Sequence, residues 1–151
     1  MLTNTDLPNL VHRGKVRDTY RLTSDMLLMV ATDRVSAFDI VIPSGIPQKG
    51  VLLSRMSAFW FEHTSNISTN HFVGLADDLE VADNLECSEY LQQLPEEILS
   101  RSTIVREAER VDVECIVRGY IAGSAWSEYR KKGTVLGITM PTGLVEGQIL
   151  E

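Results

Sequence analysis

Cysteine is scarce in this chain: Cys87 and Cys115 are the only two among 151 residues. They form no C-x-x-C pair, so neither a disulfide framework nor a structural zinc site is expected, and both read as reduced interior thiols. His12, His63 and His71 have no H-x-x-x-H spacing. The longest purely apolar run, Met26 to Ala31, has six residues, far short of the roughly 20 that a membrane helix needs. The opening residues contain Asp6 and Pro8 and no apolar core of a signal sequence. No membrane association and a cytoplasmic location are therefore expected. The chain also lacks G-x-x-x-x-G-K-[ST], G-x-G-x-x-G and H-R-D, and it has no Ser-His-Asp arrangement. Internal repeats and low-complexity tracts are absent as well.

What is there is ordinary globular material, 44% apolar and 23% charged, enough for one core or for one and a piece of a second. The net charge of −7 argues against a broad nucleic-acid partner. The charge is unevenly spread. Residues 1–55 carry net +2, whereas residues 74–114 carry net −9, which reads as a solvated face. In the first segment Arg13, Lys15 and Arg17 crowd around Gly14, a cluster suited to an anion.

Hydrophobic patterning predicts a strand over Val16–Leu22, a turn at Thr23-Ser24-Asp25 and a buried strand over Met26–Ala31, together a hairpin. Thr32 to Asp39 reads as a polar loop, followed by a short strand over Asp39–Ile42. A helix is predicted over about Val51–Thr64. Its stripe of Leu52, Met56, Phe59, Trp60 and His63 is expected to be core. Phe72–Leu75 reads as a strand, Glu89–Leu94 and Glu96–Arg101 as short helices broken by Pro95, and Thr103–Glu107 as extended. Val111, Val113, Cys115 and Val117 alternate with Asp112, Glu114, Ile116 and Arg118, which predicts a strand with one charged face. Beyond Gly119 and Gly123, Ser124 is the expected N-cap of a helix running to about Lys132. Gly133 stops that helix, and Arg130, Lys131 and Lys132 suit its negative end.

Two places invite an anion. A hydroxyl at a helix start after a glycine is one, and Arg118, six residues upstream of Ser124, can return toward it to grip a phosphate. The other is Gly14-Lys15-Val16-Arg17, a glycine turn entering a strand with two cations on the same strand face. Asp33, Arg34, Ser36 and Asp39 crowd a loop of the kind that carries sites.

Taken together, Gly14-Lys-Val-Arg-Asp18, Ala31-Thr-Asp-Arg-Val-Ser-Ala-Phe-Asp39, Lys49-Gly50 and Val113-Glu-Cys-Ile-Val-Arg-Gly-Tyr-Ile-Ala-Gly-Ser124 follow the order and spacing of the SAICAR synthetase family of purine biosynthesis. The chain resembles that family over essentially its whole length. It departs at Asp112, where the family usually has proline. The family's second signature, Asp-x-Lys-x-Glu-Phe-Gly, has no counterpart, so the chain reads as an N-terminal part.

The resemblance implies an α+β fold. A kinase-small-lobe-like antiparallel sheet with a helix would hold ATP over residues 1–110, with a hinge at about 106–110. The start of a second α/β lobe, incomplete, would occupy residues 111–151. Gly14, Lys15, Val16 and Arg17 would lie over the triphosphate, Arg106, Ala108 and Arg110 along the adenine hinge, and Glu114 at the ribose. Arg118 and Ser124 would bind the phosphate of carboxyaminoimidazole ribotide (CAIR), with Ser36 and Asp39 near its reacting end. Lys15 and Asp39 would serve catalysis. The implied reaction joins L-aspartate to CAIR with ATP, giving SAICAR, ADP and phosphate through an acyl phosphate. Magnesium is implied as a cofactor, with its ligands outside this chain and in a missing C-terminal half. By itself the chain is expected to be inactive. A kinase-like phosphotransferase and a non-catalytic nucleotide- or ribotide-binding fragment remain as alternatives.

Overall fold

The computed structural model describes residues 1–113 and 115–150, folded as two compact units, Met1–Glu109 and Arg110–Glu151. No described helix is long and apolar enough to cross a membrane.

The first unit is built on a five-stranded antiparallel sheet. Its strands are β1 (Leu10–Arg13), β2 (Arg17–Arg21), β3 (Met26–Ala31), β6 (Phe72–Leu75) and β7 (Ser102–Arg106), in the order β1-β2-β3-β7-β6. The predicted hairpin is there: Arg17 pairs with Ala31 and Arg21 with Leu27. Alternation along β2 and β3 sends Tyr20, Leu28 and Val30 to one face, where Ile104 of β7 joins them. That face packs against Ala82, Leu91 and Ile98 of three short helices, α2 (Leu79–Asp83), α3 (Ser88–Gln92) and α4 (Glu96–Leu99). The acidic residues of these helices point to water, as a solvated face requires. Strand β1 and helix α2 were not anticipated from the pattern. β1 is exposed on every residue, so it lacks the half-buried alternation that announces a strand.

The opposite face of the sheet carries the long helix α1 (Lys49–His63). Here the sequence reading of the helix's inner face is overturned. The buried residues are Gly50, Ser54 and Ala58. Leu52, Met56, Phe59 and Trp60 are 61%, 49%, 56% and 54% exposed, and their aromatic members pack on one another and on His63 along the outer surface. The reason is close approach. A Cβ on Gly50 would stand 2.1 Å from the Ala31 carbonyl oxygen, and the Ser54 hydroxyl donates to the Arg101 carbonyl oxygen at 2.6 Å. Only a stripe of small residues lets the helix lie this near the sheet.

The expected loop Thr32–Asp39 contains a strand, β4 (Val35–Ala37), which pairs with β5 (Ile40–Ile42) as a separate hairpin. Phe38 and Asp39 form its two-residue turn with φ of 49° and 65°, the positive pair that suits the twist of a hairpin.

In the second unit helix α5 spans Gly123–Lys132, and Gly133 ends it with φ 70°. A two-stranded ribbon follows, β8 (Thr134–Val135) and β9 (Ile138–Thr139). Among the described residues of Val111–Arg118 the expected strand is not formed. Its described residues are irregular, and Val111, Val113, Cys115, Ile116 and Val117 are all exposed. A strand gains stability from a ladder and a covered face, and among the described residues this segment has neither. Cys115 is accordingly not the interior thiol expected, whereas Cys87 is buried.

Gly50→Ala should therefore destabilise the fold by about 2–3 kcal/mol, read as a lower urea midpoint. Gly119→Ala, where a new Cβ meets nothing within 4 Å, should change it by less than about 0.5 kcal/mol.

Candidate functional site

Gly14, Lys15 and Val16 form the turn between β1 and β2. Lys15 thus sits in the turn, not on the strand face with Arg17 as the sequence suggested. The Gly14 amide donates to the Arg17 carbonyl oxygen at 2.7 Å, and a Cβ at Gly14 would lie 2.9 Å from that same oxygen. The turn needs glycine for this approach.

Arg34 holds the turn from beneath. Its Nη2 donates to the Gly14 carbonyl oxygen at 2.9 Å and its Nε to that of Lys15 at 3.1 Å. Nη2 and Nη1 also donate to the two carboxylate oxygens of Asp18 at 2.6 and 3.2 Å, and Nη1 donates to the Thr3 carbonyl oxygen at 2.8 Å. Five contacts match the five N–H groups of a guanidinium. Asp18 is fully buried and also accepts from the Thr5 hydroxyl at 2.6 Å. Burial pushes its pKa up, but the hydrogen bonds from Arg34 and Thr5 and the charges of Arg34 and Arg13 outweigh that and hold it below the ordinary value.

At the outer edge of the turn Lys15 Nζ meets Asp39 Oδ1 at 2.5 Å, both exposed. The hydrogen bond from Lys15 and its charge lower the Asp39 pKa. Gly14, Lys15 and Asp39 are thus brought together, and Ser36 stands on the same hairpin as Asp39. The Val16 carbonyl oxygen accepts from both the amide and the hydroxyl of Thr32, each at 2.9 Å. Arg17 borders a cavity of about 150 Å³ under α1, lined by Met29, Ser54, Phe61, His71 and Thr103 among others. Among the described residues its one side-chain hydrogen bond is a long 3.5 Å contact to Ser57 Oγ.

The residues assigned to the adenine hinge are not gathered at this turn. Arg106 pairs with Met26, at the other end of β3 from Ala31 and Arg17, about 17 Å away at the usual rise of an extended strand. Ala108 is exposed beyond it. Arg110 begins the second unit and donates to Asp112 at 2.8 Å. Glu114 lies outside the described residues.

In the second unit Arg118 Nη2 donates to Ser124 Oγ at 3.0 Å. Ser124 is not the N-cap: that position is Ala122, which offers no side-chain oxygen, and the Ser124 hydroxyl accepts from Arg118 instead. Gly123 has φ 59°, and a Cβ there would lie 3.3 Å from Arg118 Nη1. Glycine therefore provides both the backbone conformation and the room for the guanidinium. The pair borders a cavity of about 300 Å³ with Ile116, Glu128 and Met140 in its wall. Glu128 is kept ionised by bonds from the Thr134 hydroxyl and the Gly137 and Leu136 amides, which lower its pKa.

Among the described residues no group of three or more His, Cys, Asp or Glu could hold a metal ion. Asp18, Asp33 and Asp39 are each committed to a cation, so these residues do not fit a magnesium ion.

Sequence reasoning missed the supporting layer. Arg34 and Asp18 lie within the two N-terminal motifs, but neither spacing nor charge says that they meet across 16 residues.

The geometry defines a mixed α/β protein with antiparallel sheets, a glycine turn that carries Lys15, and an Arg118–Ser124 pair beside Gly123. Residues 10–151 match the family model described as SAICAR synthetase, and the chain belongs to that family. It is 48% identical to phosphoribosylaminoimidazole-succinocarboxamide synthase of Syntrophotalea carbinolica over 99% of this chain and 49% of the relative. A solved SAICAR synthase superposes with TM-score 0.85 at 43% identity, over 99% of this chain and 51% of that one. The SAICAR synthase of Saccharomyces cerevisiae, solved in complex with SAICAR, gives TM-score 0.81 at 41% identity, over 99% of this chain and 51% of that one. The chain spans about half the length of the curated relatives it matches.

Asp18 generates a pH prediction. Its folded pKa is depressed, so its contribution is present above the unfolded pKa of about 3.9 and is lost as pH falls through the folded value. At pH 7 Asp18→Asn should lower stability by about 3 kcal/mol, because it leaves Arg34 buried without its counter-charge. Urea titrations should show wild type and variant converging below about pH 4. A gap that stays constant with pH would show that the loss is one of packing.

Proposed function

We propose that the protein takes part in the SAICAR synthetase reaction, joining L-aspartate to the carboxylate of CAIR at the expense of ATP. The observation that carries this reading is the Gly14–Lys15 turn, pinned by Arg34 and flanked by Arg17, in a chain of this family.

On this reading residues 1–110 are the nucleotide lobe, comparable to the small lobe of a kinase in its five-stranded antiparallel sheet and single long helix. Gly14, Lys15, Val16 and Arg17 cover the triphosphate. Arg106, Ala108 and Arg110 form the hinge that meets adenine, and Glu114 accepts from the ribose hydroxyls. The distance along β3 between the partners of Arg17 and Arg106 is on the scale of an extended nucleotide. Residues 111–151 begin the substrate lobe, where Arg118 and Ser124 take the ribotide phosphate. The 3.0 Å hydrogen bond from Arg118 to Ser124 supports this reading, because it keeps a cation and a hydroxyl side by side. Ser36 and Asp39 serve the reacting end.

The chemistry explains why so many cations serve a chain of negative net charge. A carboxylate repels an incoming amine, so it must first be activated. A CAIR carboxylate oxygen attacks the γ-phosphorus of ATP, the bond to the β-phosphate oxygen breaks, and ADP leaves. The aspartate amine then attacks the acyl carbon, the C–O bond to phosphate breaks, and the amine proton passes to solvent. Every participant is an anion, so alignment and charge screening are the protein's main contributions. Lys15, held in place by Asp39, and Arg17 supply positive charge at the nucleotide, and Arg118 supplies it at the ribotide. Magnesium, when bound, supplies further screening of the phosphates.

Two measurements test this. The polypeptide 1–151 should bind ATP weakly and make no SAICAR from CAIR, aspartate and Mg-ATP. Adding the second half of a relative as a separate polypeptide should give product. Absence of both ATP binding and complementation would refute the assignment. In the complemented enzyme Arg118→Ala should weaken CAIR binding about 10- to 150-fold, the worth of a charge-assisted hydrogen bond, while ATP binding stays within about twofold. Equal losses for both ligands would move the ribotide phosphate elsewhere.

A further inference from the structure

Lys49 sits in an electrostatically unfavourable place. It is the first residue of α1, where the helix dipole is positive and a cation is destabilising. The backbone there is clamped. The Gly50 amide donates to Asp33 Oδ1 at 3.0 Å, and Gly50 rests against the Ala31 carbonyl. Ala31 is the β3 partner of Arg17, so the clamp brings the start of α1 next to the strand position of Arg17.

The nearby negative charge is already used. Asp33 is fully buried and accepts from Arg101 Nη1 at 2.9 Å, from the Gly50 amide and from the Leu2 amide at 2.8 Å. Asp18 is taken by Arg34 and Asp39 by Lys15. Among the described residues Lys49 has neither an ion pair nor a side-chain hydrogen bond, and Arg17 has only its long contact to Ser57. Burial and the charges of Arg17 and Arg34 lower the Lys49 pKa, against the opposing pull of Asp33. Among the described residues these are two cations without counter-charge, one at a helix start and one on the strand that leaves the Gly14 turn.

We infer that Lys49 and Arg17 together form a phosphate-binding pair beside the Gly14–Lys15 turn, with Lys49 a binding residue for the polyphosphate of a nucleotide. A phosphate chain supplies the oxygens that the fold withholds from these two side chains, and its charge relieves their mutual repulsion. The inference rests on the nucleotide reading above but can fail separately from it.

The test uses inorganic tripolyphosphate and ATP as probes, titrated into the 1–151 chain at low ionic strength by calorimetry. Wild type should bind tripolyphosphate. Lys49→Met should weaken that binding about tenfold or more, Lys49→Arg should largely restore it, and Lys132→Met, on the surface of α5, should leave it unchanged. Because Lys49→Met removes a repelled charge, its melting temperature should equal or exceed that of wild type. That combination of weaker binding with undiminished stability is one a merely structural role would not give. Failure of wild type to bind tripolyphosphate, or equal binding by wild type and Lys49→Met, overturns the inference. If ATP binds normally to Lys49→Met, the nucleotide reading stands and the phosphate pair falls. If tripolyphosphate binding depends on Lys49 but ATP does not compete for it, the anion pair stands and the nucleotide reading falls.

Discussion

Every N–H of the Arg34 guanidinium is used, and what it is used on sets the geometry of the first unit. Two bonds close a bidentate pair with buried Asp18, two more hold the carbonyls of Gly14 and Lys15, and the last reaches Thr3 in the N-terminal segment. A guanidinium suits this because its donors are planar and fixed, and a lysine in its place would satisfy one or two of the five. Buried ion pairs contribute little net stability, since desolvating both charges offsets most of their attraction. The gain is in position: the turn carrying Lys15 is tied through Arg34 to a carboxylate in the core.

A second buried pair stands next to it in sequence. Asp33 joins Arg101 and also accepts from the first turn of α1. Adjacent residues, one acidic and one basic, therefore fix the two elements that frame the cationic site, the glycine turn and the helix start. Both carboxylates have depressed pKa values, and for both the cost of burial is outweighed by donors. The internal anions are thereby committed to structural partners. Arg17 and Lys49 have no ion pair among the described residues, and Arg17 has only its long contact to Ser57. Net charge was a poor guide here, because the −7 total is dominated by solvated acids on the short helices of the other face.

Helix α1 shows how packing distance reorders a sequence pattern. Its large apolar residues make the more conspicuous stripe, yet the sheet beneath already brings its own large side chains, Met29 and Phe61's neighbour Phe72 among them. Along the first turns of the helix the space left is taken by glycine, serine and alanine, and only toward its end does a large side chain, Phe61, reach in to stack on Phe72. A helix with small residues at intervals of four, over a sheet with bulky ones, fits with its small face inward. The segment Val111–Arg118 illustrates the complementary point, since alternation alone does not make a strand that has nothing to pair with.

The sequence by itself determined the local elements whose signals are local: the β2–β3 hairpin, the extent of α1 within two residues, the break at Pro95 and the stop at Gly133. It also identified the family, because the ordered motifs around Gly14, Asp33 and Glu114 are specific in type and spacing. Tertiary structure alone decided what those motif residues touch. That Ser124 accepts from Arg118 and does not cap its helix depends on where Gly123 turns the chain. That α1 buries Gly50, Ser54 and Ala58 depends on the sheet below it. That Arg34 serves Asp18 while Lys49 has no partner among the described residues depends on contacts between residues far apart in the chain. Propensity and periodicity act over a few neighbouring residues, whereas hydrogen-bond satisfaction and close packing are settled only when distant segments meet.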